Sequence, residues 1–301
     1  MELTNKRSIK ELSKKYNAKP ERYLGQHFIL SKSALKKMIE AADIKKTDTI
    51  VEIGPGLGTL TQELTKILHP FSKDGGLKII AIEKDPLMIS ILKETLADYK
   101  NIKVVQDDAR QLLSILRIDS FGDKLGTNYR NNKYKIVANL PYNIATFLIR
   151  SWLEMKNSPK LMVLMIQKEV AQRICSKPPR NNLLGISVQF YAEPKIIGYV
   201  PKSNFWPRPK VDAAIIKIVP KKEKKMTVLQ AIANRQSFFH IVKAGFSQPR
   251  KQLAGNLSKK LNISKEEILR IFRNLDISST VRAENLSLDQ WLKLAHQLIH
   301  N

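Results

Sequence analysis

Apolar residues along the chain gather into short runs bounded by polar turns, with stretches of helical spacing between them. The first runs are Thr49-Ile50-Val51-Glu52-Ile53, Lys78-Ile79-Ile80-Ala81-Ile82 and Ile102-Lys103-Val104-Val105, followed by Tyr134 to Ala138 and Leu161 to Ile166. Between the first two, Leu60, Leu64, Ile67 and Leu68 recur at helical spacing. Strands alternating with helices predict βαβ units and a parallel sheet. The polar stretch from Asp119 to Lys133 reads as a surface loop or insertion. After the fifth run the rhythm changes. Pro194 to Val200 and Ala213 to Val219 predict two further strands, joined by the Pro-rich segment Pro201 to Pro209 and paired antiparallel at the sheet edge.

Lys221-Lys222-Glu223-Lys224-Lys225 then reads as a linker, and only helical patterns follow, such as Glu266 to Asn274 with Ile268, Leu269, Ile271 and Phe272. The expected organisation is a basic arm over 1–22, an α/β domain over 23–220 and a small all-α domain over 221–301. By analogy of fold alone, five parallel strands followed by an antiparallel pair match the seven-stranded, Rossmann-like sheet of class I methyltransferases.

Charge narrows the partners. Lys and Arg number 52 against 27 acids, a net +25, which favours a polyanion bound through counterion release; a generally basic proteome is the rival explanation. Cys175 is the only cysteine, so no intramolecular disulfide and no cysteine cluster for zinc can form; no metal is expected, and a cytoplasmic location is. The longest apolar run, Leu161 to Ile166, is too short to cross a bilayer, so no membrane partner is expected. The N-terminus carries Lys6, Arg7, Lys10, Lys14 and Lys15 without an apolar core for a secretory signal, and Glu2 and Glu11 count against an organellar presequence. It reads as a mobile basic arm.

Candidate chemistry gathers at the strand ends. Gly54-Pro55-Gly56-Leu57-Gly58 follows the first strand and opens the first helix of the sheet. Glycines let such a turn approach a ligand without Cβ interference. The spacing is G-x-G-x-G rather than the G-x-G-x-x-G of dinucleotide enzymes, and Pro55 removes a donor that a pyrophosphate would use. Glu83 ends the second strand, where an acid can accept from ribose hydroxyls; Asp107 and Asp108 end the third, before the small Ala109, where an acid can meet an adenine amine. A strand-end acid alone is usually a helix cap. Acids at successive ends of one sheet favour a nucleoside cofactor.

The fourth strand delivers Asn139-Leu140-Pro141-Tyr142 to the same edge. An adenine amine is a poor nucleophile because its lone pair is delocalised into the ring. Accepting its N–H bonds on the Asn139 side-chain carbonyl and the Leu140 backbone carbonyl would localise that pair. Pro141 stiffens the turn, and Tyr142 offers a face on which an extruded base can stack. Positioning and electrostatics then suffice without a strong base.

At these residues the chain resembles the ribosomal RNA adenine dimethyltransferase family, and within it the bacterial small-subunit branch. The resemblance rests on Gly25-Gln26-His27-Phe28, Val51 to Gly58, Asn139 to Ile144, Gln167-Lys168-Glu169-Val170 and Phe205 to Asp212, and runs from about residue 20 to the C-terminus. It implies S-adenosylmethionine as cofactor and dimethylation at N6 of two adjacent adenosines near the 3′ end of small-subunit rRNA. The implied partner is that rRNA within a pre-ribosomal 30S particle, met by a monomer. It further implies that His27 and Ile29 close over the cofactor; the family usually has Leu at the second position, so Ile29 is a mild departure. Gly54 would line the methionine part, Glu83 the ribose and Asp108 the adenine, with Gly56 a further cofactor-binding residue. Asn139 would touch cofactor and target amine alike, and Phe205 would face Tyr142 across a flipped adenine.

Rival readings are weaker. The large-subunit dimethyltransferase shares the chemistry, but the C-terminal segment including Pro249 to Leu257 points away from it. A DNA adenine methyltransferase would usually carry a second proline where Leu140 stands. An inactive assembly factor would not need Gly54, Glu83, Asp108, Asn139 and Tyr142 intact, and a nicotinamide dehydrogenase fails on glycine spacing.

Overall fold

The computed structural model describes residues 1–18, 25–67, 78–111, 134–221 and 235–300. The expected loop from Asp119 to Lys133, Leu68 of the first helical pattern and Lys222 to Lys225 of the linker lie outside the described residues. The chain divides into two compact units, 1–171 with 195–220, and 172–194 with 221–301.

In the first unit α1 (Lys6–Lys15), β1 (Phe28–Ile29) and α2 (Lys32–Ala42) precede the sheet. There follow β2 (Thr49–Ile53), α3 (Thr59–Thr65), β3 (Lys78–Glu83), α4 (Pro86–Thr95) and β4 (Ile102–Gln106). Then come β5 (Tyr134–Asn139), α5 (Ala145–Glu154), β6 (Leu161–Gln167) and α6 (Lys168–Ile174). Past α7 (Leu183–Tyr191) the chain forms β7 (Ala192–Val200), β8 (Phe205–Trp206) and β9 (Ala213–Pro220). The seven-stranded sheet has the order β4-β3-β2-β5-β6-β9-β7. Strands β2 to β6 pair in parallel, and β9 runs antiparallel to β6 from Met162↔Ile218 to Gln167↔Ala213. The central strands are mostly apolar because both faces are covered: β2 is buried at every position, Glu52 included, and β5 at all but Asn139, Lys135 included. Helix starts follow local chemistry. Asp85 caps α4 by accepting from Leu87 N–H, with Pro86 at the first helical position, where its missing N–H costs nothing.

The sheet reverses direction of winding between β2 and β5, with β3 on one side and β5 on the other. In such sheets the crevice at the carboxyl ends beside that point receives ligands. The glycine loop, Glu83 and the Asn139 turn all lie there.

The N-terminus is not the mobile arm read from its charges. Residues 6–15 form a helix capped by the Asn5 side chain, which accepts from Arg7 N–H (2.8 Å). Ile9 and Leu12, three positions apart on one face, join Leu3 and Ala18 in a cluster with Phe28, Leu57, Met88 and Ile91. Lys15 and Tyr16 both donate to Glu94 at the end of α4. The basic residues occupy the outer face, which is why a charge count hides the inner one.

The second unit is mainly helical over its described residues, with α7, α8 (Arg235–Gly245), α9 (Leu253–Leu261), α10 (Lys265–Asn274) and α11 (Leu288–His300). Phe190 and Tyr191 of α7 stack with Phe238 and Phe239 of α8. That aromatic core draws residues 172–194 into this unit, whereas the sequence reading places its start at 221. Gly245 closes α8 against Trp291; a Cβ there would lie 2.4 Å from the indole.

Candidate functional site

A cavity of about 340 Å³ opens at the carboxyl ends of β2, β3, β4 and β5, a size suited to a nucleoside-bearing small molecule. Its wall includes His27, Ile29, Gly54, Gly56, Glu83, Asp108, Asn139 and Pro141. The sequence-predicted cofactor residues are therefore brought to one cavity. Leu140, Tyr142 and Phe205 are not on its wall.

The glycine loop is shaped by positive φ at Gly54 (65°) and Gly56 (57°), the left-handed region that side-chain-bearing residues rarely enter. A Cβ on Gly56 would also lie 3.0 Å from the Phe28 ring, so the cradle is closed to anything larger. Gly56 N–H donates to Glu83 Oε2 (3.1 Å), while Oε1 accepts from Lys84 N–H (2.8 Å) and Asp85 N–H (2.9 Å). Burial pushes the Glu83 carboxyl above the ordinary range, and these donors pull against that shift.

Glu52 was not singled out from the sequence as a site residue. It is 1 % exposed, lies on the cavity wall, and its Oε2 has no hydrogen-bond partner among the described residues. Burial, with some repulsion from Glu83, raises its carboxyl to about 8. The signal was present: an acid within an otherwise buried apolar strand is rare unless paired or functional.

Asp108 accepts from Arg110 Nε (3.0 Å) and backbone N–H (3.0 Å), with Lys84 Nζ at 3.2 Å. The Arg110 guanidinium holds its carboxyl well below the usual carboxylate range. Asp107 also reaches the cavity, but its Oδ1 accepts the Asp108 N–H (2.6 Å). Neither basic partner, Lys84 or Arg110, was anticipated.

The turn after β5 is held from both sides. Asn139 Nδ2 donates to the His27 backbone carbonyl (3.0 Å), so Oδ1 is the atom left to accept. Leu140 N–H donates to Met165 O (3.0 Å), fixing that peptide plane. The His27 ring lies 2.7 Å through Nδ1 from Pro207 O; a carbonyl only accepts, so that nitrogen carries the proton. The same ring stands 5.8 Å from the Tyr142 ring. Tyr142 is half-buried, its hydroxyl is enclosed without a partner among the described residues, and burial next to Asp212 raises the phenol to about 12. Phe205 pairs with Ile29 in the β1–β8 ladder and is 3 % exposed, in the apolar cluster against which Tyr142 packs. It stands as a core aromatic in this structure.

The donor set fits an adenosine-bearing cation. The cradle excludes a Cβ, and an orphaned buried carboxyl oxygen beside it suits an ammonium group. Among the described residues no group of three or more His, Cys, Asp or Glu is placed to hold a metal, and no helix is long and apolar enough to cross a membrane.

Residues 17–300 match the family model for ribosomal RNA adenine dimethylase. The chain is 39 % identical over 292 residues to ribosomal RNA small subunit methyltransferase A of Dehalococcoides mccartyi, covering 97 % of this chain and 93 % of that one. Among solved structures, a dimethyladenosine transferase from Plasmodium falciparum aligns with a TM-score of 0.67 at 27 % identity, over 88 % of this chain and 95 % of that one. The 23S rRNA methyltransferase ErmE aligns with a TM-score of 0.65 over 90 % of this chain and 99 % of that one; at 19 % identity it speaks for the fold alone. A seven-stranded class I methyltransferase sheet and a family match along nearly the whole chain agree: this protein belongs to the ribosomal RNA adenine dimethylase family.

Proposed function

We propose that the chain transfers methyl groups from S-adenosylmethionine to N6 of two adjacent adenosines near the 3′ end of small-subunit rRNA, giving N6,N6-dimethyladenosine. Its substrate is the rRNA of an assembling small subunit, and it acts as a cytoplasmic monomer. The observation that carries the reading is the Asn139 amide, pinned through Nδ2 to the His27 carbonyl so that Oδ1 remains to accept from the target amine.

Bound S-adenosylmethionine supplies an activated methyl group on a sulfonium. The chain supplies everything else. Gly54 and Gly56 admit the methionine part, and Glu52 accepts from its ammonium group. Glu83 accepts from the ribose hydroxyls, in competition with the Gly56 N–H it now holds. Asp108 accepts from the adenine amine, which must share that carboxylate with Arg110 and Lys84. His27 and Ile29 exclude water from the rim.

At the target, Asn139 Oδ1 and the Leu140 carbonyl take the amine's two hydrogens, turning its lone pair toward the methyl donor. The nitrogen–methyl bond forms as the sulfonium–methyl bond breaks, and the cationic nitrogen so formed releases one proton to water. A single N–H then remains, so one carbonyl goes unpaired, at a cost of about 1–3 kcal/mol if it stays buried. Tyr142 stacks on the extruded base. For Phe205 to form the second face, the two-residue pairing of β8 with β1 must yield.

RNA phosphates are held by the basic surface, including a cavity of about 330 Å³ in the second unit lined by Lys251, Lys259 and Lys260. The experiment is incubation with labelled S-adenosylmethionine and undermodified small subunits, followed by mapping of labelled nucleotides. Label in two adjacent dimethyladenosines is expected. Label elsewhere, or none, overturns the reading.

A further inference from the structure

Tyr199, the penultimate residue of β7, lies on the edge strand of the sheet and is 51 % exposed, a large ring left open to solvent. Lys168 Nζ sits 5.2 Å from the centre of that ring. Asp212 ties Lys168 to Lys202. Its backbone carbonyl accepts from Lys168 N–H (2.9 Å) and its Oδ1 from Lys202 N–H (3.0 Å). Val200, the residue after Tyr199, belongs to the apolar cluster against which Tyr142 packs. The Tyr199 segment is thus joined, through Val200, to the cluster that holds the residue on which the target base would stack.

The surroundings are basic. Lys202, Arg208 and Lys210 flank the connection between β7 and β9, each exposed or half-exposed, and Lys202 Nζ is held by the Lys210 carbonyl (3.3 Å). Val211, 44 % exposed, adds apolar surface. An isolated exposed tyrosine needs no explanation. An exposed ring with a cation at its face, among further cations at the reaction edge, has the make-up of a single-strand platform: a π-face for a base and charges for the backbone beside it.

We propose that Tyr199 and Lys168 form a second stacking platform, which holds an unpaired nucleotide of the substrate RNA next to the adenine delivered to Tyr142. The base lies on the open face of the Tyr199 ring, and its phosphates meet Lys168, Lys202, Arg208 and Lys210. Splaying the neighbouring nucleotide keeps the target adenine unstacked, so the platform lowers the cost of extrusion. The inference rests on the RNA substrate proposed above.

The test uses the full chain and a single-stranded oligoribonucleotide carrying 2-aminopurine, whose fluorescence is quenched by stacking. Wild-type protein is expected to quench it. Tyr199→Ala should lose the quenching and bind roughly 5- to 150-fold more weakly, the loss of one base–aromatic stack. Tyr199→Phe, which keeps the ring, should behave as wild type, and Lys168→Ala should lower the salt dependence of log K by about 1. S-adenosylmethionine affinity should be unchanged in all three. Equal quenching and affinity for Tyr199→Ala and wild type would overturn the platform, as would a Tyr199→Phe variant as weak as the alanine, or wild-type binding without quenching. Methylation of small subunits is scored separately. Should that fail while Tyr199→Ala alone loses stacking, the platform stands and the assigned reaction falls.

Discussion

At the amino ends of the central strands one buried charge is fully answered, whereas at their carboxyl ends one buried carboxyl, that of Glu52, is not. Lys135, near the start of β5, is 4 % exposed in its side chain; its Nζ donates to the carbonyls of Ala42 (3.0 Å) and Asp43 (2.6 Å) and pairs with Asp48 (2.6 Å). All three donor directions of the ammonium are used, and the cluster ties the end of α2 to the start of β2. Glu52 and Glu83 sit at the opposite edge of the same sheet. Glu52 keeps an orphaned oxygen, and both carboxyls are held above their ordinary range by burial. The first arrangement suits stability. The second costs stability and stands on the wall of the cavity to which we assign the cofactor.

Substitutions at the two ends should therefore fail in opposite ways. Lys135→Ala leaves Asp48 buried without its cation and should cost about 3–5 kcal/mol in urea unfolding, with cofactor affinity of the remaining folded protein unchanged. A loss below 1 kcal/mol would place that cluster in water. Glu83→Ala should do the reverse. It removes acceptors for the ribose and should weaken cofactor binding by about 1.5–3 kcal/mol in calorimetry, while the fold survives the loss of an acceptor for three backbone N–H groups. Wild-type affinity would move the ribose site elsewhere.

Glu52 adds a pH dependence whose sign can be worked out. Between 4.5, its ordinary value, and about 8, its value in the folded chain, it is protonated when folded and ionised when unfolded. Folding takes up a proton across that window, so stability falls as pH rises, by up to about 1.4 kcal/mol per unit. Glu52→Gln should flatten that slope in the free protein while weakening cofactor binding; an unchanged slope would show the carboxyl to be solvated. The smallest effect is expected in the second unit. Single Ala substitutions at Lys251, Lys259 or Lys260 should each reduce the salt dependence of RNA binding by about 1 in slope, without altering cofactor affinity.

Much of the sheet was readable because its strands are buried on both faces and bounded by turn residues. Thr49 to Ile53 is recovered at both ends, and the later strands extend by one or two residues. The glycine loop, Glu83 and Asn139 followed from their places at strand ends. Elements resting on tertiary contact were not readable. The helix over Lys6–Lys15 is held by an apolar face only three positions wide under five basic residues. Residues 172–194 join the second unit through Phe190 and Tyr191, whose partners lie some fifty residues on. Removal of 221–301 would strip those rings of cover, so point substitutions test that unit better than truncation. Phe205 illustrates the remaining gap: the family resemblance implies a base-facing ring, the residue alone reads as a core aromatic, and its pairing with Ile29 buries it.

The central claim is that the Asn139 carbonyl activates an adenine amine. Single-turnover methyl transfer to undermodified small subunits, with mass analysis of the RNA product, tests it in Asn139→Ala beside wild type at saturating S-adenosylmethionine. Losing one preorganised acceptor should slow both transfers by about 10²–10³-fold, with the fold intact. Wild-type rate and yield of dimethyladenosine from that variant would contradict the account.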